Sequence, residues 1–146
     1  QILAVCGNNR KIEQKLKKKF KKEARVLVLG FTDQMPFYLR ACDVLFTKPG
    51  GLTSTEAAVI GVPIIHTAPI PGCETVNRRF FMRAGMSWSA LTLKGQVSQG
   101  IRLMNDPKAQ KKMIACQAKQ IHGDAAEQVA ALSLSTVSSK DSRCHK

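Results

Sequence analysis

One run of nine residues, Lys48-Pro49-Gly50-Gly51-Leu52-Thr53-Ser54-Thr55-Glu56, holds the side chains best suited to binding chemistry. It follows an apolar run rich in strand formers, Asp43 to Thr47, and precedes Ala57-Ala58-Val59-Ile60-Gly61, which reads as a helix ending on glycine. Strand, glycine pair and helix aim free backbone N–H groups and the positive helix end at an anion. Gly50 and Gly51 let a ligand approach bare backbone. Thr53, Ser54 and Thr55 add hydroxyls that either cap the helix or touch a phosphate. Glu56 stands where its carboxylate can accept from a vicinal diol such as a ribose. A capped helix after a glycine turn fits these nine residues as well as a phosphate cradle does. The P-loop is excluded, because no Gly-Lys-Ser/Thr closes a four-residue spacer.

The elements that must position this run alternate. Gln1 to Cys6 and Val26 to Leu29 read as apolar strands, separated by a helix from about Arg10 to Lys22 with Ile12, Leu16 and Phe20 on one stripe. A short helix begins near Pro36. Beyond Gly61, Val62 to His66 is a further strand and Pro69 to Gly72 a stiff loop. Glu74 to about Ala84 is a helix, and Ser87 to Leu91 a short strand. Lys94 to Asn105 and Pro107 to about Leu132 give two helices, the second interrupted near Gly123. The Ser-rich stretch 133–146 is expected to be a disordered tail after a domain spanning 1–132. Apolar strands alternating with helices predict an α/β fold, a Rossmann-like doubly wound parallel sheet. In such a sheet, ligands bind beyond the carboxyl ends of the strands. The loops at Gly7 to Asn9, Gly30 to Thr32, Lys48 to Thr53 and Pro69 to Glu74 are expected on that one edge, which favours a nucleotide-like ligand.

Composition narrows the classes. The 146 residues carry a formal charge of +13, and nine basic residues fall between Arg10 and Arg25 against Glu13 and Glu23. Such a run suits a solvated helix face, an anionic lipid surface or nucleic acid. Nucleic acid is disfavoured by the 5% aromatic content, which leaves few stacking platforms. No apolar run reaches the roughly 18 residues that span a membrane. The cysteines Cys6, Cys42, Cys73, Cys116 and Cys144 form no CxxC pair and no zinc spacing, which fits a reducing cytosol and predicts no metal site. His66, at the end of an apolar strand, reads as a satisfied core or loop histidine.

Taken together, CGNN, LGFTDQMPFYLRACDVLFTKPGGLTSTEA, GVPIIHTAPIPGCETVN and RRFF resemble one family. It is that of the diacylglycerol glycosyltransferases, the processive bacterial glucosyltransferases and plant-type monogalactosyldiacylglycerol synthases. Their two-Rossmann-domain GT-B architecture is shared with the N-acetylglucosaminyltransferase of lipid II synthesis. The resemblance covers about Cys6 to Gly85 and implies the C-terminal, UDP-sugar-binding half. It implies that Gly30, Phe31 and Thr32 hold the uracil, and that Gly50, Gly51, Leu52, Thr53 and Ser54 lie under the pyrophosphate. It also implies Glu56 on the ribose hydroxyls and Gly72, Cys73, Glu74 and Asn77 toward the sugar. The family usually has Gln-Glu after the glycine; Cys73-Glu74 here removes a side-chain amide and leaves the hexose open. The implied reaction inverts the anomeric carbon, with UDP-sugar as substrate and no cofactor. A lipid acceptor such as diacylglycerol, the membrane surface and the catalytic base are expected to be served by an N-terminal domain upstream of Gln1. The first strand of the donor domain is expected there too. That implies a cytoplasmic enzyme peripheral to the inner face of the membrane, a fragment inactive alone, and no nucleic-acid partner. A lipid II type transferase, and a UDP-sugar epimerase or binding module on the same fold, are the alternatives.

Overall fold

The computed structural model describes residues 1–141, with side chains through Ser135. Cys144 and His145 lie outside the described residues. The chain divides into two units, Gln1–Tyr38 and Leu39 onward.

In the first unit, β1 (Ile2–Val5) pairs in parallel with β2 (Val26–Leu29), with Ile2 opposite Val26. The crossover is α1 (Arg10–Lys19), capped by Asn9, whose side chain accepts from Ile12 N–H at 3.0 Å. No residue of α1 is buried, so its basic run is a solvated cylinder, braced by Lys17 on Glu13 at 2.6 Å. Val28 is buried while Leu27 and Val5 stay exposed, so this unit buries one face of its sheet more fully than the other. A short helix, α2 (Met35–Arg40), spans the division between the units.

The second unit is built on β3 (Leu45–Thr47), β4 (Ile64–His66) and β5 (Trp88–Ser89), all parallel and in that spatial order. Between and after them come α3 (Gly51–Ile60), α4 (Cys73–Arg83), α5 (Leu93–Met104), α6 (Pro107–Gln120) and α7 (Ala125–Asp141). Central β4 is buried on both faces, as expected of a parallel strand covered by helices. Its Ile65 meets Leu103 of α5 and Met113 of α6 in the core, with Val44, Trp88 and Ala109 packed around them. Gln117 ties α6 to the strand entries, its amide donating to the carbonyls of Val62 at 2.9 Å and Met86 at 3.0 Å. Glycine fits α5 against β3, because a Cβ on Gly100 would stand 2.0 Å from the ring of Phe46 unless one of them shifts.

The parallel α/β class is as expected, its strands pairing as β1-β2 in the first unit and β3-β4-β5 in the second. Backbone pairing decides which strands join, and apolar periodicity does not encode it. One expectation is corrected, because the chain does not lose structure at Ser133: α7 continues to Asp141, carried by the helix formers Ala125, Ala126, Ala130, Ala131, Leu132 and Leu134. The expected tail beyond it, 142–146, falls outside the described residues.

Candidate functional site

Five helices with described starts divide by how those starts are satisfied. α1, α5 and α6 have side-chain caps: Asn9, Thr92 on Gly95 N–H at 3.2 Å, and Asp106 on Ala109 N–H at 2.9 Å. α3 and α4 begin on Gly50 and Gly72, and neither has a side-chain cap. An α-helix leaves its first N–H groups without partners inside the helix, so these two starts present bare donors and the positive end of the dipole.

Nothing in the fold demands a bare residue at the start of α3. Gly50 has φ −73° and ψ 150°, open to any residue. A Cβ on Gly50 or on Gly51 would meet nothing within 4 Å. Thr55, further into the helix, back-bonds within it: its Oγ1 donates to the carbonyls of Gly51 at 2.8 Å and Leu52 at 2.9 Å. Gly51 and Leu52 are exposed and Thr53 is half-buried, so the start of the helix faces outward. At the other end Gly61 closes α3 in the left-handed conformation, φ 84°.

Gly72 differs, with φ 111° and ψ −133°, a conformation that favours glycine. It opens α4 beside Cys73, which is exposed, and Glu74, which is buried. Glu74 Oε1 accepts from Lys48 Nζ at 2.7 Å and Oε2 from Ile70 N–H at 2.8 Å. The Lys48 hydrogen bond, then the Ile70 N–H, hold its carboxyl below the usual carboxylate range. One turn on, Asn77 Nδ2 donates to Pro49 O at 3.1 Å. Two bonds therefore fasten the first turns of α4 to the loop before α3. Glu56 is exposed and forms no ion pair among the described residues.

The expected site residues separate accordingly. Gly50, Gly51, Leu52, Thr53, Glu56, Gly72, Cys73, Glu74 and Asn77 all belong to the second unit, tied together by the Lys48–Glu74 and Pro49–Asn77 bonds. Gly30, Phe31 and Thr32 belong to the first unit, where Phe31 is exposed and Thr32 Oγ1 accepts from Gln34 N–H at 3.0 Å. Ser54 is a correction. It is fully buried, its hydroxyl is spent on His66 Nε2 at 3.0 Å and its N–H points to Gly50 O, so it offers a phosphate nothing. Lys48, absent from the expected set, is a cation that joins the loop before α3 to Glu74 of α4, and it remains substantially exposed. Its position just ahead of the glycine pair is the signal that points to it. Among the described residues no cluster of His, Cys, Asp and Glu is suited to a metal ion. Nor is any helix among them long and apolar enough to cross a membrane.

Two uncapped helix starts, an adjacent lysine and a free carboxylate one turn in are fitted to a phosphorylated ligand that also presents hydroxyls. The processive diacylglycerol beta-glucosyltransferase of Staphylococcus carnosus (strain TM300) is 33% identical over 121 residues, covering 83% of this chain and 30% of that protein. The chain thus spans about a third of the length of the curated relatives it matches. Among solved structures, Acinetobacter baumannii MurG matches 89% of the chain and 40% of its own, with TM-score 0.71 and 20% identity. A Listeria monocytogenes protein assigned as a UDP-N-acetylglucosamine 2-epimerase matches 95% of the chain and 46% of its own, with TM-score 0.73 and 16% identity. These two share the fold. The family model for glycosyl transferases group 1 matches residues 1–120 and so takes in both bare helix starts, and the chain belongs to that family.

Proposed function

We propose that this chain is the donor-binding part of an inverting hexosyltransferase, one that moves a hexose from a UDP-sugar to a lipid acceptor such as diacylglycerol. The observation that carries the reading is the start of α3: a glycine pair that packing does not require, no cap, and Lys48 alongside. The N–H groups of Gly51, Leu52 and Thr53 meet the diphosphate, where charge builds as UDP departs. Glu56 accepts from the ribose hydroxyls. Gly72, Cys73, Glu74 and Asn77 face the hexose, with Glu74 and Asn77 also holding the loop in place. The lipid class is supported by the names of the curated relatives, processive diacylglycerol beta-glucosyltransferases. A base elsewhere in the parent protein activates the acceptor hydroxyl, and that protein works at the membrane surface without spanning it. This chain alone then binds donor without turnover.

Calorimetric titration with UDP tests the reading. The wild-type chain binds UDP, and Glu56→Ala weakens it about 10-fold, the scale of a lost charge-assisted hydrogen-bond pair. Equal affinity in the two proteins removes Glu56 from the ribose. Single-stranded RNA titrated at two salt concentrations tests the basic run separately, since nucleic-acid binding weakens steeply with salt. Conversion of UDP-N-acetylglucosamine by the chain without acceptor would instead support an epimerase.

A further inference from the structure

The proposed donor site has a buried support that its own residues do not explain. His66 ends β4 with no exposed surface. Its Nε2 lies 3.0 Å from Ser54 Oγ, in the first turn of α3, and its Nδ1 lies 3.0 Å from Ser87 Oγ, just ahead of β5. Phe81 of α4 packs edge-on against the ring, 5.3 Å between centroids. The His66 carbonyl accepts from Ser89 Oγ at 2.9 Å, and that hydroxyl accepts in turn from Arg78 Nε at 2.6 Å. One residue therefore reaches α3, α4 and β5 from the central strand.

We propose that His66 is a positioning residue for the diphosphate site, a neutral imidazole that spans Ser54 and Ser87 and so fixes the direction of the N–H groups at the start of α3. The role rests on the donor-binding reading above. A neutral imidazole has one donor and one acceptor nitrogen, and a hydroxyl rotates to complement either, so the bridge closes with every ring nitrogen paired. Ser54 is the next residue after the three whose N–H groups face outward, so a shift at its hydroxyl turns those donors. An imidazolium would need both hydroxyls as acceptors, inside an apolar surround and with Arg78 of α4 opposing its charge. Burial first, and Arg78 second, push its pKa down to about 4. Arg78 is the charged group that acts on the ring, and Ser54, Ser87 and Phe81 supply its other contacts.

The test is UDP titration of the chain carrying Ser54→Ala, His66→Gln or His66→Asn. A glutamine amide reaches the place of Nε2 and restores the bond to Ser54, whereas an asparagine amide reaches only that of Nδ1 and keeps Ser87. Ser54→Ala and His66→Asn should weaken UDP about 10-fold, and His66→Gln by no more than about 3-fold. Equal losses in the two His66 variants, or no loss in Ser54→Ala, would overturn the role. Wild-type chain that ignores UDP would overturn the donor-site reading, and this role with it. Where the variants do not fold, nitrogen NMR of the wild-type ring decides. The ring should remain neutral at about pH 5.5, and the Leu52 and Thr53 amide signals should move only when it protonates. A ring that protonates near 6.5, or amides that ignore it, contradicts the proposal.

Discussion

Two kinds of helix start coexist in this chain, and the contrast between them points to the proposed site better than any single residue. Where Asn9, Thr92 and Asp106 precede α1, α5 and α6, the first-turn donors are satisfied by the protein itself. At Gly50 and Gly72 they are left bare. A second contrast separates the glycines. Gly100 is glycine because Phe46 occupies the space of its Cβ, whereas at Gly50 a side chain would meet open space. A glycine where packing does not require it, at an uncapped helix start, is what the proposed donor site would use.

That contrast can be broken in several ways. The largest effect is expected from acid. The ordinary histidine pKa of 6.5 falls to about 4 at His66, so the folded chain binds its proton later than the unfolded chain. The stability this group contributes is present above pH 6.5 and is lost as pH falls toward 4, about 3 kcal/mol in all. Denaturant titrations at several pH values should show that loss, and His66→Gln should remove it. A flat profile would mean that the Ser54–Ser87 bridge tolerates a charged ring. Next comes Gly100→Ala, which forces α5 and the Phe46 ring apart and should cost about 1–3 kcal/mol in the same titrations. Gly50→Asp should do the reverse at the other kind of glycine. The new carboxylate caps α3, raising stability by up to about 1 kcal/mol, while UDP affinity drops about 30-fold because the donors are taken and the charge repels phosphate. Smallest is Asp106→Ala, which uncaps α6 and should cost about 1 kcal/mol with UDP affinity unchanged. A joint loss of stability and UDP binding in Asp106→Ala would show that the two kinds of start are not independent.

Much of this architecture is legible in the residues themselves. Apolar runs and glycines mark the strand–helix alternation, and the glycine pair marks the bare start of α3, because strand, Gly-Gly and hydroxyl-rich turn are local features. Long-range pairings are not written locally. Ser54 is as available to a phosphate as Thr53 on sequence grounds, and only β4 places His66 against it. Glu74 reads as a free carboxylate, whereas Lys48, 26 residues earlier, and the Ile70 N–H take its two oxygens. Which strands join is a matter of which backbones pair, and apolar periodicity does not encode it. Serine content beyond Ser133 suggests a tail, but the alanines and leucines leading into that stretch carry α7 through it.

The central claim is that the bare start of α3 receives the diphosphate of the donor. Amide NMR of the nitrogen-labelled chain titrated with UDP addresses it directly. The account predicts the largest shifts at Gly51, Leu52 and Thr53, with the capped starts at Ile12, Gly95 and Ala109 unmoved. Saturable UDP binding that leaves the Gly51–Thr53 amides unshifted would contradict it.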